Sequence, residues 1–405
     1  MKTIKALLIA LAGSGLLFGA AVSADDAGRK AAAVSLAHDY LLIDTHIDVP
    51  ERLEEDWEDV SKATQRGDFD YDRARLGGLD VPFMSIYTPA ESEAEGTSFA
   101  LANRLIDRVE ALVGRAPGKF ALVRNPAEAL QARERGLVGL AMGMENGSPI
   151  DGKLENLAFF KQRGVSYVTL AHSLSNHISD SSYDEQRPWE GLSPFGREVI
   201  AEMNRQGIMV DISHVSDKAF YQVLELSRVP VIASHSSARH FTPGWERNMS
   251  DDMIRALAAK GGVIMINFGS SFLTEEAMRW FEQMKAVRED YLAQNGFDEH
   301  GQEAEHFYKA YREDHPFPYA DLDDVFAHFR HVIELAGVAH VGIGSDFDGV
   351  GDSLPEGLKD VSNYPNLVEK FLVAGYSAAD IEAILGGNLM RVWRAAEDYA
   401  AATGG

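Results

Sequence analysis

Short apolar segments alternate with longer amphipathic segments along the chain from about residue 40 onward. The short segments are rich in Val, Ile, Leu and Met, as expected of buried strands, and the longer ones repeat apolar residues every three or four positions, as expected of helices. Eight strands are predicted, at 41–43, 79–87, 137–144, 165–171, 208–212, 229–233, 263–268 and 340–343. Helices are predicted between them, for example at 98–113, 127–134, 154–163, 196–206, 217–227 and 251–260.

Several of the predicted helices end in glycine just before the next strand. Gly164, Gly207 and Gly261 each follow basic or polar residues, which is a common C-terminal sequence of a helix. Eight strand–helix units predict an α/β fold of the (β/α)8 TIM-type barrel class. An open doubly wound sheet is the alternative. It is disfavoured because residues of metal-ligand type follow at least six of the eight strands, and a barrel brings all those strand ends to one mouth.

The connection between predicted strands seven and eight is unusually long. It has about seventy residues, roughly twice what a helical crossover needs. A charged amphipathic helix is predicted at 275–295, a polar segment follows at 296–318, and the crossover helix is predicted at 322–335. We therefore expect one domain, residues 25–405, with a helical insertion at about 273–320. The insertion lies either over or beside the barrel mouth or at an oligomer contact, such as that of a homodimer.

The first 24 residues have the layout of a secretory signal peptide. Lys2 and Lys5 precede an apolar stretch, and small residues at 22–24 offer a cleavage site. An uncleaved membrane anchor is the alternative, but Gly13 and Gly19 interrupt the apolar stretch, which favours cleavage. The chain is therefore expected to be exported, to the periplasm or the medium, without stable membrane insertion after cleavage.

Composition narrows the partners and the metal chemistry. The formal net charge is -24, from 38 basic and 62 acidic residues, which argues against nucleic acids and anionic membrane surfaces as partners. The chain has no cysteine, so disulfides and thiolate ligands are excluded. A metal would have only nitrogen and oxygen ligands. Such a set fits Zn2+ first, and Mn2+, Co2+ or Fe2+ are also compatible.

Residues that commonly ligate metals follow four of the predicted strands. His46 and Asp48 end the first strand, and residues two apart in an extended chain share a face. Glu145 follows the third strand, where an ionised carboxylate after a buried run is costly unless it is paired or bound to a cation. His214 and His235 follow strands five and six. Each spacing alone is common by chance, but five such residues at one barrel mouth predict a two-metal site.

Other polar residues are expected at the same mouth. Asp346, after strand eight, is positioned for general acid–base catalysis or for binding a substrate ammonium group. His172 follows strand four and adds another imidazole. Asp348 is interpreted as a turn residue because glycine follows it. His328 and His331 are interpreted as part of a solvated helix face rather than as metal ligands.

These motifs resemble those of the membrane (renal) dipeptidase family. The matching segments occur in the same order along the chain, at 44–48, 143–147, 211–214, 234–237, 344–349, 354–358 and 387–389. The resemblance implies a binuclear zinc dipeptidase of the amidohydrolase-like barrel class, with a small-molecule dipeptide as substrate. It implies two Zn2+ ions and a bridging hydroxide that attacks the peptide bond, including bonds to a C-terminal D-residue.

The resemblance also implies a metal role for each of the five predicted ligands. One zinc would be held by His46 and Asp48, and the other by His214 and His235. Glu145 would bridge the two ions.

Three further residues take substrate-binding or catalytic roles by the same resemblance. His172 would contact the substrate carbonyl, and Arg247 would bind the terminal carboxylate. Asp346 would contact the free amino group and transfer protons. The chain departs from mammalian members at Gly269, where they carry an aromatic residue near the substrate, and this leaves the side-chain preference open.

Two other functions remain as alternatives. One is a different binuclear metal hydrolase on the same scaffold, such as an N-acyl-amino-acid deacylase or a lactonase. The other is a non-catalytic exported binding protein that keeps the barrel. Comparing activity on dipeptides with activity on N-acyl substrates and lactones would distinguish a dipeptidase from another hydrolase. A purified protein without bound metal would favour the binding protein.

Overall fold

The computed structural model of the chain describes residues 26–298 and 301–404. The signal peptide predicted at 1–24 lies outside these residues. Over the described ranges the strands are β1 Leu42–Ile47, β2 Leu79–Tyr87, β3 Phe120–Leu122, β4 Val138–Glu145, β5 Val165–Thr169, β6 Met209–Asp211, β7 Ile232–Ser236, β8 Val263–Ile266 and β9 Val341–Ile343.

The helices of the same ranges lie mostly between these strands. They are α1 Asp26–Asp39, α2 Val49–Glu55, α3 Tyr71–Gly77, α4 Glu91–Ala94, α5 Ser98–Arg115, α6 Pro126–Glu134, α7 Glu155–Arg163, α8 Pro194–Gln206, α9 Asp217–Leu226, α10 Asp251–Ala259, α11 Ser270–Leu273, α12 Glu275–Asn295, α13 Gln302–Asp314, α14 Leu322–Ala336, α15 Tyr364–Val373, α16 Ala378–Glu382 and α17 Asn388–Thr403. In this part of the chain no helix is both long and apolar enough to cross a bilayer.

Eight strands form a parallel barrel in the order β1-β2-β4-β5-β6-β7-β8-β9. The ring closes beyond the ends of β9 and β1, where the Asp48 amide donates to the Phe347 carbonyl at 2.9 Å. The Asp44 carboxylate reinforces this closure because it accepts from the Ser345 amide at 3.0 Å and from the Tyr364 hydroxyl at 2.5 Å. The predicted (β/α)8 fold is confirmed.

The strands differ from the prediction mainly at their ends. β1 continues to Ile47, β4 to Glu145 and β7 to Ser236, so residues predicted to follow these strands belong to the last ladder positions. β3 was not predicted; its three residues pair with β4 outside the ring and are too few to show a pattern. Predicted strands seven and eight are therefore β8 and β9.

Helix ends agree with the glycine positions in the sequence. α7 ends at Gly164 with φ 104° and α8 at Gly207 with φ 68°, the left-handed region that glycine adopts readily. At the start of α8, the Ser193 side chain accepts from the Gly196 amide at 2.8 Å. Each strand that follows begins within two residues of the glycine, so these caps set where the strands start.

The apolar interior of the barrel is covered by the C-terminal helix α17. Trp393 on α17 is fully buried, and its ring centroid lies 5.1 Å from that of Phe83 on β2. Phe83 in turn stacks on Tyr167 of β5 at 5.6 Å. Gly143 of β4 makes room for this ring, since a Cβ there would lie 1.9 Å from the Tyr167 Cζ. The apolar layer therefore ends at Tyr167, and the polar strand ends lie beyond it.

The segment predicted as an insertion contains α12 and α13, which pack against each other between β8 and β9. The Trp280 ring of α12 lies 5.4 Å from Tyr311 of α13 and 5.0 Å from Phe317. Arg312 of α13 donates to the Asp352 carbonyl at 2.8 Å, in the loop after β9. These contacts fix the two helices next to the barrel mouth. The pattern gave no helix prediction for α13.

Candidate active site

The five residues predicted as metal ligands converge at the C-terminal ends of the barrel strands. Glu145 Oε1 lies 3.1 Å from Nε2 of His214 and 3.1 Å from Nε2 of His235. Glu145 Oε2 lies 3.3 Å from His46 Nε2, and Asp48 Oδ2 lies 3.5 Å from the same nitrogen. All five side chains are buried. The carboxylate of Glu145 is thus the centre of the cluster.

The potential donor atoms form three overlapping groups, in each of which all atoms lie within 4.8 Å of one another. The groups are His46–Glu145–His235, Glu145–His172–His214 and His46–Asp48–Asp346. His172 and Asp346, predicted to contact substrate, therefore lie as close to the cluster as the predicted ligands. The pairing of His46 with Asp48 and of His214 with His235 around two separate ions stays a prediction.

Several atoms of the cluster are suited to a cation. Within the described part of the chain, His46 Nε2 and Asp48 Oδ1 are buried without a hydrogen-bond partner. The Nε2 atoms of His214 and His235 lie 2.8 Å apart and face the same carboxylate oxygen. Buried polar atoms without partners are costly, and convergent nitrogen and oxygen atoms are the usual ligands of a divalent transition metal. The residues present therefore fit metal ions.

Hydrogen bonds behind the cluster orient two of the imidazoles. The Tyr167 hydroxyl lies 2.8 Å from His46 Nδ1 and donates its own proton to a backbone carbonyl, so it accepts from Nδ1. The Ser234 hydroxyl lies 2.7 Å from His235 Nδ1 and donates to Asp211 at 2.6 Å. When either ring is neutral, its Nε2 lone pair points into the cluster, which is how such partners orient metal ligands.

Sequence reasoning missed Tyr167, Ser234 and Asp211 as supporting residues. The available signal was a polar residue within or at the end of an otherwise apolar strand. That signal alone does not tell which imidazole such a residue contacts.

Protonation states in the cluster follow from burial and from its charges. Burial raises the pKa of Glu145, but His46 and His172 lower it more, so its pKa lies well below the ordinary value. Burial and nearby positive charge keep the pKa of His214 and of His235 well below the ordinary value. An ionised carboxylate and neutral imidazoles are the forms that ligate metals.

The carboxylates also favour a positive charge beside His46. Burial lowers the pKa of His46, but Tyr167, Glu145 and Asp48 raise it more, so its pKa lies well above the ordinary value. A cation bound next to Glu145 and Asp48 would supply that positive charge in place of the His46 proton.

Asp346 combines a left-handed backbone conformation with a buried carboxyl whose pKa is raised. Burial and the neighbouring Asp48 raise the pKa of Asp346 to about 7. Asn267 donates to its Oδ2 at 2.6 Å, which holds the carboxyl in one orientation. Its φ is 65°, and His214 has φ 68°. Non-glycine residues in this left-handed region are uncommon and often mark functional positions.

Arg247 lies on the other side of the cluster, next to His214 and His235. Its guanidinium is buried, donates to the His235 carbonyl at 2.7 Å and lies 3.0 Å from His214 Nε2. The Phe272 ring lies 5.1 Å from the guanidinium carbon. His172 Nε2 lies 3.5 Å from Glu145 Oε1. The cluster therefore has a fixed cation at one end and, through Asp346, a carboxyl at the other.

Asp48, Glu145, His172, His214 and Asp346 line one cleft of about 1060 Å3, and Arg247 is buried behind it. Its inner wall also carries Tyr183, Trp245, Phe272 and Glu51, which sequence reasoning did not single out. Burial and Asp48 raise the pKa of Glu51 to about 8.

Comparison with known proteins decides the family. The sequence profile described as membrane dipeptidase (peptidase family M19) matches residues 30–404. An uncharacterised dipeptidase of Schizosaccharomyces pombe is 32% identical over 386 residues, which cover 91% of this chain and 84% of that protein. The chain belongs to the membrane dipeptidase family. It is therefore a metal-dependent dipeptidase, as the sequence motifs implied.

Solved structures share the fold of this dipeptidase. The crystal structure of the probable dipeptidase PvdM from Pseudomonas aeruginosa superimposes with a TM-score of 0.79 and 25% identity, covering 93% of this chain and all of that one. A metallopeptidase from Rhodobacter sphaeroides superimposes with a TM-score of 0.72 and 24% identity, covering 88% of this chain and 99% of that one. That structure contains a phosphinate mimic of the dipeptide L-Ala-D-Ala.

The dipeptidase differs from the sequence interpretation at His328. This residue is fully buried rather than solvated. Its Nδ1 accepts from a backbone amide of the loop after β7 at 3.0 Å, and its Nε2 donates to the Leu273 carbonyl at 2.9 Å. His331 is partly exposed, pairs with Asp251 at 2.8 Å and stacks on His240. The helix face was misjudged because the loop and α11 that cover it come from elsewhere in the chain.

Asp348 lies in a turn, as predicted, but is more than a turn residue. Its φ is 66°, and its side chain is fully buried. It accepts from the Asp68 amide at 2.5 Å and pairs with Arg52 at 3.1 Å. These contacts join the loop after β9 to the segment that follows α2.

At Gly269 the chain lacks the aromatic side chain that mammalian members carry at this position. A Cβ at this position would lie 2.9 Å from Phe272 and 2.9 Å from Val350. Phe272 therefore occupies the space next to Gly269 and supplies an aromatic ring to the cleft.

Proposed function

We propose that the chain is a two-zinc dipeptidase that cleaves dipeptides with free amino and carboxyl termini, including those with a C-terminal D-residue. The observation that carries this proposal is the convergence of His46, His214 and His235 on Glu145, between Arg247 and Asp346. Activity on a D-residue is supported by the L-Ala-D-Ala mimic in the related metallopeptidase of the same fold.

The proposed ligands divide the cluster between two ions. His46 and Asp48 would hold one ion, His214 and His235 the other, and Glu145 would be shared. An all nitrogen and oxygen set fits zinc, as argued from composition. When bound, the ions would supply a water with a lowered pKa and would polarise the scissile carbonyl.

Arg247 would bind the free carboxylate of the substrate. Its planar guanidinium can pair with both carboxylate oxygens, and this geometry is not available to lysine. The guanidinium is already buried and held by the His235 carbonyl and the Ser236 hydroxyl, so little ordering is needed on binding.

Asp346 and His172 would act at the other groups of the substrate. Asp346 would contact the free amino group, and its Oδ1 would take a proton from the attacking water and pass it to the leaving amine. Asn267 holds the other oxygen, so Oδ1 is the atom directed to the substrate. His172 would donate a hydrogen bond to the carbonyl oxygen as negative charge develops there. A substrate held at both termini has two residues, which excludes protein chains.

A substrate panel tests this proposal. L-Ala-L-Ala and L-Ala-D-Ala should both be cleaved, and a chelator should abolish both reactions. The C-terminal amide and the N-acetyl derivative of the same dipeptide should react at least about 100-fold more slowly, because each leaves a buried charged group of the site unpaired. Preference for N-acyl-amino acids or lactones would instead favour another binuclear hydrolase. Cleavage of none of these compounds would contradict the proposal.

Substitution of Arg247 tests the carboxylate assignment separately. Arg247→Lys should lower kcat/KM for the free dipeptide by about tenfold or more, while the much slower reaction of the amide changes little. Arg255→Lys, on the exposed face of α10, is the matched control and should leave both rates unchanged. Equal losses on the free dipeptide and the amide would show that Arg247 does not bind the carboxylate.

Export remains part of the proposal and rests on the sequence of residues 1–24. N-terminal sequencing of the protein from the periplasm or the medium should find a mature terminus near residue 25. Full-length chain confined to the cytoplasm or the membrane would contradict it.

A further inference from the structure

We propose that the outer half of the cleft is a binding site for one large apolar or aromatic side chain of the substrate, and that α12 and α13 build it. This inference rests on the proposed dipeptidase function. It assigns the helix pair between β8 and β9 a role in substrate selection, in addition to the two groups that hold the substrate termini.

The outer cleft has an apolar wall beside charged residues of α12 and α13, among them Lys285, Arg288, Glu289 and Glu305. The residues of α12 that line it include Trp280, Phe281 and Met284, and Phe317 follows from the segment after α13. Met284 is 5% exposed, whereas Phe281 is 41% exposed although it belongs to a helix with its own buried face. An exposed aromatic ring on a cleft wall is available to a ligand.

The apolar wall is continuous with the groups at the metal cluster. Phe272 covers the Arg247 guanidinium and lies 5.1 Å from the Trp245 ring. Both of these rings line the same cleft as Phe281 and Met284. A side chain that extends outward from a dipeptide bound at Arg247 would therefore contact these aromatic rings in turn.

Hydrogen bonds within α12, α13 and the segment after α13 hold the wall in place. Trp280 donates from Nε1 to the His315 carbonyl at 2.9 Å, and Arg312 pairs with the Tyr308 hydroxyl at 2.7 Å. The Tyr319 hydroxyl donates to Asp352 at 2.7 Å, next to the loop that follows Asp346. A rigid wall of this kind can discriminate between side chains, because little conformational entropy is lost on binding.

The size of the cleft supports a large substrate group. Clefts of about 300–1,000 Å3 hold drug-sized ligands. The cleft of about 1060 Å3 is therefore much larger than two alanine residues require. An unfilled apolar surface gives no binding energy, whereas a Phe or Trp side chain would cover it.

Kinetics with three dipeptides test the inference. L-Ala-L-Ala, L-Phe-L-Ala and L-Ala-L-Phe share the same backbone and differ only in where a large side chain stands. One of the two Phe dipeptides should exceed L-Ala-L-Ala in kcat/KM by about tenfold or more, and which one it is identifies the residue that enters the outer cleft.

Phe281→Ala should lower the ratio of kcat/KM for that Phe dipeptide over L-Ala-L-Ala by about tenfold, and Phe281→Leu should retain most of it. Val287→Ala is the matched control, because Val287 is 47% exposed on the same helix and does not line the cleft. Thermal unfolding of each variant should be measured to check that the protein remains folded. If a variant is unstable, the ratio of kcat/KM for the Phe dipeptide over L-Ala-L-Ala in the wild type still tests the inference.

The outcomes separate this inference from the proposed function. Cleavage of all three dipeptides at similar rates, or a ratio that Phe281→Ala leaves unchanged, would overturn the outer binding site and leave the dipeptidase proposal intact. Failure to cleave any of the three would overturn both.

Discussion

Tyr167 illustrates how a single core residue can support a predicted metal ligand. Its ring lies in the barrel interior beside Phe83, and its hydroxyl accepts from His46 Nδ1. Gly143 is needed at the neighbouring position because any Cβ would overlap the ring. The sequence contains both residues, but their relation depends on the register of β4 and β5, which no local pattern specifies. Residues of this kind could not be assigned before the structure.

Tyr167→Phe tests this relation. Loss of the hydroxyl should weaken metal binding about 10- to 100-fold, because the His46 ring is no longer held in the tautomer that directs Nε2 to the cluster. Competition with a chelator of known affinity measures the change. Tyr221→Phe, at an exposed position of α9, is the control. Unchanged metal affinity in Tyr167→Phe would mean that the hydroxyl does not orient the ligand.

At the scale of elements, the sequence predicted all eight barrel strands and the helices α5 to α10, α12 and α14. Alternating apolar segments and glycine caps located them because these features are local. No prediction was made for β3, which has only three residues, or for α13, which lies in a polar segment; α1, α15 and α17 were also not assigned. The burial of His328 was also missed. It depends on the loop after β7 and on α11, which pack over α14 but are distant in sequence.

The buried His328 gives the packing of α14 a measurable pH dependence. Burial lowers the pKa of His328 from 6.5 to about 4. The unfolded chain therefore binds a proton first as the pH falls, so the stability present above pH 6.5 is lost progressively down to about pH 4. Between pH 7 and pH 5 this group should cost about 2 kcal/mol of the free energy of unfolding.

Urea unfolding at the two pH values measures this contribution. His328→Gln should be less stable than the wild type at pH 7 but should lose about 2 kcal/mol less between pH 7 and pH 5. His306→Gln, at an exposed position of α13, should behave as the wild type. The same loss in wild type and His328→Gln would show that His328 is not the titrating group.

At the scale of the whole molecule, the barrel explains why the sequence could predict which residues form the ligand cluster. Parallel strands that close into a ring bring all their C-terminal ends to one mouth, so residues after strands far apart in sequence become neighbours. The five predicted ligands therefore lie together although 189 residues separate His46 from His235. The outer cleft could not be predicted in this way, because its shape depends on how α12 and α13 pack beside the mouth.

We propose that dipeptide hydrolysis depends on two metal ions bound at this mouth. The most direct measurement is a zinc titration of chelator-treated protein in which the rate of L-Ala-D-Ala hydrolysis is followed. We predict no hydrolysis without metal, and a rate that rises with added zinc until two ions are bound per chain. Hydrolysis by the metal-free protein, or zinc binding that never restores a rate, would contradict the account.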